Sequence, residues 1–149
     1  MEKLQTFTIG FTRHGAAKFF ALLAEAGAQR ILDVRLNNGS QLAGFAKRND
    51  LKFFAQQIGG MDYVHLPELA PTKEMLDAYK KRGGEWRVYE DQFLALLDQR
   101  SVEKSIDPEL LHGGCLLCSE HQPHFCHRRL VAEYLSEKWG GNLSVEHLV

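Results

Sequence analysis

Twelve residues near the carboxyl end of the chain hold an unusual concentration of reactive side chains. The segment is CSEHQPHFCHRR, residues 118 to 129, and it contains two cysteines, three histidines, a glutamate and two arginines. Thiolates and imidazoles bind metals or act as nucleophiles and bases, and guanidinium groups bind anions. The segment could therefore form a metal site, the loop of a thiol nucleophile or an anion-binding turn, or it could be an ordinary polar loop.

The geometry of a β-strand decides whether the cysteines and histidines of this region can form a metal site. Cys115, Cys118, Cys126 and His127 are chemically suited to zinc. The run GGCLLCSE, however, predicts a buried strand, because its apolar stretch is continuous. Residues three apart on a strand point to opposite faces, so Cys115 and Cys118 are not expected to share one ion. The sequence therefore argues against a structural zinc site. Cys115 is instead interpreted as a small buried residue that packs like an apolar side chain.

The end of this strand and the start of the next helix are the favoured functional positions. Cys118 and Glu120 are two apart, so they face the same way where the strand ends. Residues 126 to 128 then open a predicted helix, whose first turn has free N–H groups and a positive partial charge. Such a turn favours a thiolate or a bound anion. We expect His121 and His124, between the two elements, to lie in a solvated loop.

A second polar cluster follows an earlier predicted strand, in DVRLNNGS. Asp33 and Arg35 lie two apart on one face at the strand's end. Buried charges must pair or bind a ligand, so the two form either a structural salt bridge or a clamp in which Arg35 holds an anion and Asp33 orients it. Asn37 and Ser40 are further loop donors.

Two other strand ends carry polar residues. Glu68 follows the strand in MDYVHLPEL and could pair with Glu120 for acid–base work. Thr12 and Arg13 follow the first strand, within TRHG. Arg-His-Gly after a strand is also the nucleophile motif of histidine phosphatases, but three residues are too short a match to favour that reading.

The elements that position these residues alternate along the chain as β-α-β-α-β-α-α-β-α-β. This order predicts one domain, residues 1 to 149, built as a three-layer α/β sandwich with a mostly parallel sheet and helices on both faces. Ligands bind such folds outside the carboxyl ends of the strands. One predicted helix, RNDLKFFAQQIGG, is capped by Asn49 or Asp50 and buries Leu51, Phe54 and Ile58. The strand order does not follow from the sequence.

The composition of the chain argues against several classes of protein. The net charge is −1 over 149 residues, so the chain shows no strong sign of nucleic-acid binding. Three cysteines do not make the disulfide framework of a secreted domain and suit a reducing compartment. Neither a signal peptide nor an apolar run long enough for a membrane span is present. We therefore expect a cytoplasmic protein with no membrane association, and nothing in the sequence implies a cofactor.

The chain resembles the domain of unknown function 488 family, which is typical of bacteria and archaea. The resemblance lies in TIGFT, DVRLNNGSQLAGFAKRNDL, YVHLPELAPT and LLCSEHQPHFCHRRLVAEYL. C-x-E followed by C-H-R is the most specific element. Asn-Asn-Gly after Asp-Val-Arg departs from the proline-containing loop of many members, as do Ala70 and Pro71 from the usual glycine. The resemblance implies the fold and the site but no reaction. Its motif positions fall on Asp33, Arg35, Glu68, Cys118, Glu120, Cys126, His127 and Arg128.

Three functional hypotheses follow. The leading one is an enzyme or ligand-binding protein with a polar cleft for a phosphate- or nucleotide-like ligand at the strand carboxyl ends. The second is a non-catalytic binding or interaction module in which the same cluster is structural, and the third is a metal-binding protein using the Cys and His residues. Under the leading hypothesis the catalytic candidates are Cys118, Glu120, Cys126 and Asp33, and the ligand-binding candidates are Arg35, Glu68, His127, Arg128 and Thr12.

Overall fold

The computed structural model describes residues 3–12, 14–36, 47–119 and 125–149. Several predicted site residues lie outside these ranges. They are Arg13, Asn37, Ser40 and Glu120, and the two histidines expected in a solvated loop, His121 and His124, also lie outside the described residues.

Five strands and seven helices make up the described chain. The strands are β1 (Leu4–Gly10), β2 (Arg30–Asp33), β3 (Asp62–His65), β4 (Gly114–Cys118) and β5 (Leu143–Leu148). The helices are α1 (Ala16–Ala26), α2 (Arg48–Gly59), α3 (Lys73–Lys80), α4 (Trp86–Arg100), α5 (Val102–Ser105), α6 (Pro108–Leu111) and α7 (His127–Lys138), with a 3-10 turn at Pro67–Leu69.

The strands form one sheet in the order β3-β2-β4-β1-β5, and every neighbouring pair is parallel. The predicted α/β sandwich with a parallel sheet is therefore confirmed. β4 lies in the middle of the sheet, and all five of its residues are buried. This position explains the continuous apolar run in its sequence, because a central parallel strand is covered on both faces.

Helices cover both faces of the sheet. On one face, Phe19 and Leu23 of α1 and Leu51 of α2 pack in a core that includes Cys115 of β4. On the other face, α4 and α7 pack in a second core that includes Cys118 of β4. Cys115 and Cys118 thus lie on opposite faces, as the alternation of a strand requires.

Two local expectations about α2 need correction. Ile58 does not belong to the buried face of α2, because its side chain is 60% exposed. Neither Asn49 nor Asp50 caps α2, since the helix begins after Lys47 and contains both. The sequence also gave no sign of α5 and α6, which have only four residues each.

Thr72 caps α3, because its hydroxyl accepts a hydrogen bond from the Met75 amide. None of the described helices is both long and apolar enough to cross a membrane.

Candidate functional site

A pocket of about 180 Å³ opens at the carboxyl ends of β2 and β4. The end of α3 and the starts of α4 and α7 enclose it. Its lining residues are Arg35, Leu36, Pro71, Leu76, Tyr79, Lys80, Trp86, Tyr89, Cys118, Ser119, Phe125, Cys126 and His127.

The sheet topology accounts for this position. β2 and β4 are hydrogen-bonded neighbours, yet β2 leads to α2 on one face and β4 leads to α7 on the other. Connections that leave adjacent strands toward opposite faces open a crevice between them, and this is where doubly wound folds bind ligands. The preference of such folds for ligands at the carboxyl ends of the strands therefore points to this pocket.

Asp33 and Arg35 form a buried bidentate ion pair behind the pocket wall. Arg35 Nε donates to Asp33 Oδ1 and Arg35 Nη2 donates to Oδ2, each at 2.8 Å. The Arg35 amide and the Tyr63 hydroxyl also donate to this carboxylate. Asp33 is fully buried and Arg35 is 3% exposed, with its guanidinium over the ring of Phe11. Four donors thus hold the carboxylate, and a charge buried this deeply requires such partners.

Two histidines fix the backbone beside this pair. His127 Nε2 donates to the Val34 carbonyl oxygen at 2.7 Å, and His65 Nε2 donates to that of Arg35 at 3.2 Å. The first residue of α7 is thereby tied to the end of β2. The His127 bond therefore joins the two polar clusters of the sequence.

Burial lowers the pKa of His127 to about 4, although its hydrogen bond to the Val34 carbonyl acts in the opposite direction. The positive charge of Arg128 contributes to the lowering. His127 is therefore neutral at pH 7. Because Nε2 carries the donated proton, Nδ1 is the nitrogen with the lone pair.

Cys118 and Cys126 are joined by a disulfide bond in the pocket wall. The sequence argued against a disulfide framework and gave no sign of this bond. Among the described residues, Cys118, Cys126 and His127 are the group whose side chains lie close enough to share a metal ion. Sulfurs engaged in a disulfide are not thiolate ligands, so such an ion would require the reduced pair. Cys115 cannot join them from the opposite face.

Arg128 lies beneath the pocket rather than in its wall. Its side chain is fully buried, with Nε donating to the Thr8 hydroxyl and Nη1 to Cys118 Sγ, both at 3.2 Å. Burial lowers the pKa of Arg128 to about 10, so the group remains a cation at neutral pH. A positive charge thus contacts one sulfur of the disulfide.

Aromatic rings form one side of the pocket. The Trp86 ring stacks on Tyr89 at a centroid distance of 5.2 Å and meets the edge of Phe125 at 5.5 Å. Tyr79 packs against both Trp86 and Tyr89. Lys80, next to Tyr79, also lines the pocket, and burial lowers its pKa.

The structure brings only some of the predicted site residues to the pocket. Arg35, Cys118, Cys126 and His127 line it, and Asp33 lies directly behind Arg35. Thr12, Glu68 and Arg128 do not line it, and their ligand-binding roles stay predictions. The Thr12 hydroxyl donates to the Ser119 carbonyl at 2.6 Å. One carboxylate oxygen of Glu68 is buried, without a hydrogen-bond partner among the described residues.

The sequence analysis did not identify four of the pocket residues as part of a site, namely Tyr79, Lys80, Trp86 and Tyr89. A signal was present, because aromatic residues stand on both sides of the Gly83-Gly84 turn between α3 and α4. A tight turn brings the end of one helix close to the start of the next.

The fold and pocket define a single-sheet parallel α/β protein with a polar and aromatic cavity at the carboxyl edge of the sheet. The family model described as "Domain of unknown function DUF488" matches residues 15–135, which is most of the chain. The chain therefore belongs to this family, as its resemblance predicted. The match begins after TIGFT and includes both polar clusters. No curated protein and no solved structure matches the chain.

Proposed function

We propose that this protein binds an anionic, nucleotide-like small molecule in the cytoplasm, in the pocket between β2, β4 and the start of α7. One observation carries the proposal. The pocket combines the cationic side chains of Arg35 and Lys80 with an aromatic wall, and no carboxylate is among its described lining residues. A few convergent polar groups in an otherwise apolar cavity are typical of small-molecule sites.

Two positive groups at the pocket support an anionic ligand, the Lys80 side chain and the first turn of α7. Asp33 compensates the charge of Arg35 at 2.8 Å, and His127 is neutral at pH 7. Lys80 also lines the pocket, where the first turn of α7 adds a partial positive charge. Burial disfavours the charged form of Lys80. A bound anion would offset this cost, because opposite charges favour each other's ionised forms.

The aromatic wall suits a flat ring. Stacked aromatic pairs contribute about 0.5–1.5 kcal/mol beyond the area that they bury. The pocket volume of about 180 Å³ is below the range of roughly 300–1,000 Å³ typical of drug-sized ligands. We therefore expect the pocket to enclose one part of the ligand, with the remainder outside its mouth.

The Asp33–Arg35 pair supports a second candidate, the non-catalytic binding module. A carboxylate held by four donors and fully buried is better placed to orient Arg35 than to exchange protons with a substrate. If the protein is an enzyme, Glu120 or His127 is therefore a better candidate than Asp33 for transferring protons. Binding is common to both candidates and is the property to test first.

The experiment is a thermal-shift panel of nucleotides and phosphorylated metabolites, followed by calorimetric titration of the best ligand. Lys80→Gln should weaken binding by about tenfold or more, which corresponds to about 1.4 kcal/mol. Lys81→Gln is the matched control, because Lys81 is 72% exposed and pairs with Asp77 at 3.5 Å. It should bind as the wild type does. No shift across the panel, or equal losses in the two variants, would refute the proposal.

A further inference from the structure

We infer that Cys118 and Cys126 are a redox-active pair that exchanges electrons with a small thiol entering the pocket. The inference goes beyond the proposed binding function and does not depend on it. It rests on the position of the disulfide in the pocket wall and on the charges beside its two sulfurs.

The two sulfurs have unequal surroundings. Cys118 Sγ accepts a hydrogen bond from the buried guanidinium of Arg128 at 3.2 Å. Cys126 is the residue before the first turn of α7, a helix of 12 residues. A neighbouring cation and a helix start both stabilise a thiolate. The direct contact with Arg128 makes Cys118 the better leaving group when the bond is broken.

Access determines the class of partner. Cys118 is 1% exposed and Cys126 is 2% exposed, yet both line the pocket. A reagent must therefore enter through a cavity of about 180 Å³. A cavity of this size suits a low-molecular-weight thiol, which we take as the class of partner.

The exchange takes two steps. A thiolate R–S⁻ attacks Cys126 Sγ, the bond to Cys118 breaks, and its electron pair stays on Cys118 as a thiolate beside Arg128. A second R–S⁻ attacks the R sulfur of the mixed disulfide and releases Cys126 as a thiolate. Two thiols are thereby oxidised to R–S–S–R and the protein disulfide is reduced to a dithiol. The two protons lost by the thiols balance the two that the protein dithiol takes up when neutral.

The test uses the full chain carrying Cys115→Ser, so that Cys118 and Cys126 are the two cysteines left. The protein is equilibrated in buffers of reduced and oxidised glutathione, quenched with acid, alkylated and weighed by mass spectrometry. We expect one cooperative, reversible two-electron transition without unfolding. Thiols that stay free in fully oxidised glutathione would overturn the inference. So would a bond that millimolar thiol breaks only after denaturation, because such a bond is structural.

A second measurement separates the two sulfurs. In the Cys115→Ser background, Cys126→Ser leaves Cys118 alone beside Arg128. Its pKa, followed by thiolate absorbance, should fall below the value of about 8.5 for a free thiol. Adding Arg128→Lys should raise it, with folding checked by circular dichroism. A Cys118 pKa at or above the free-thiol value would contradict the inference. Stoichiometric zinc that binds the reduced pair and prevents its re-oxidation would also overturn it, in favour of a metal site.

Discussion

The buried Asp33–Arg35 pair provides the sharpest stability prediction. Asp33→Asn preserves the size of the side chain but removes its charge. Two guanidinium bonds of 2.8 Å then lose their ionic acceptor, and the charge of Arg35 stays buried at 3% exposure. Breaking a buried ion pair from one side costs about 3–5 kcal/mol. That loss is a large fraction of the roughly 5–15 kcal/mol by which domains are stable.

Urea denaturation followed by circular dichroism measures this loss. Asp77→Asn is the control, because Asp77 pairs with Lys81 at the surface one helical turn away. Exposed pairs of this kind contribute about 0.3–0.5 kcal/mol. The double variant Asp33→Asn/Arg35→Met should lose less free energy of unfolding than the two single variants lose together, since it leaves no unpaired charge. A loss below about 1 kcal/mol for Asp33→Asn would refute the structural account of the pair.

Three further predictions concern the pH dependence and the packing of the fold. Because the pKa of His127 is about 4 in the native state and about 6.5 when unfolded, the unfolded state gains protons first as pH falls. Between pH 7 and pH 5, the free energy of unfolding of the wild type should therefore fall by about 2 kcal/mol more than that of His127→Gln. Equal decreases in the two proteins would contradict this prediction. Leu51→Ala should lower the free energy of unfolding, measured in urea, by about 2–5 kcal/mol, and Ile58→Ala should lower it by about 0.5 kcal/mol or less. A larger loss for Ile58→Ala would show that Ile58 is part of the core. Gly114→Ala should lower the free energy of unfolding by about 1–3 kcal/mol, because the added Cβ would lie 2.8 Å from the Leu110 carbonyl oxygen. An unchanged urea midpoint would show that the neighbouring atoms can move to make room for the methyl group.

The alternation of elements was predictable because each strand and long helix carries its own local signal. β4 shows this in its continuous apolar run, and α4 in the helical spacing of Tyr89, Phe93 and Leu97, which are all buried. Four-residue helices such as α5 and α6 are too short to show a period. Ile58 stands at the right spacing on α2 but is exposed. Periodicity gives the direction of a side chain, not the point along the helix where the neighbouring layer ends.

The candidate site was predictable only in part. Asp33 and Cys118 end their strands and Arg35 follows one, and the carboxyl ends of parallel strands meet at one edge of the sheet. Their position could therefore be inferred without the strand order. Lys80 and Trp86 reach the pocket through the packing of α3 and α4. The Gly83-Gly84 turn indicates that the ends of these two helices lie close together, but it does not indicate that they face the pocket. The bond between Cys118 and Cys126 depends likewise on the path of the chain between β4 and α7.

A crystal structure of the protein with its best-binding nucleotide or phosphorylated metabolite would test the central claim most directly. The account predicts density in the pocket, with an anionic group within hydrogen-bond distance of Lys80 Nζ and a ring against Trp86. Ligand bound elsewhere on the protein, or an empty pocket at saturating ligand, would contradict it.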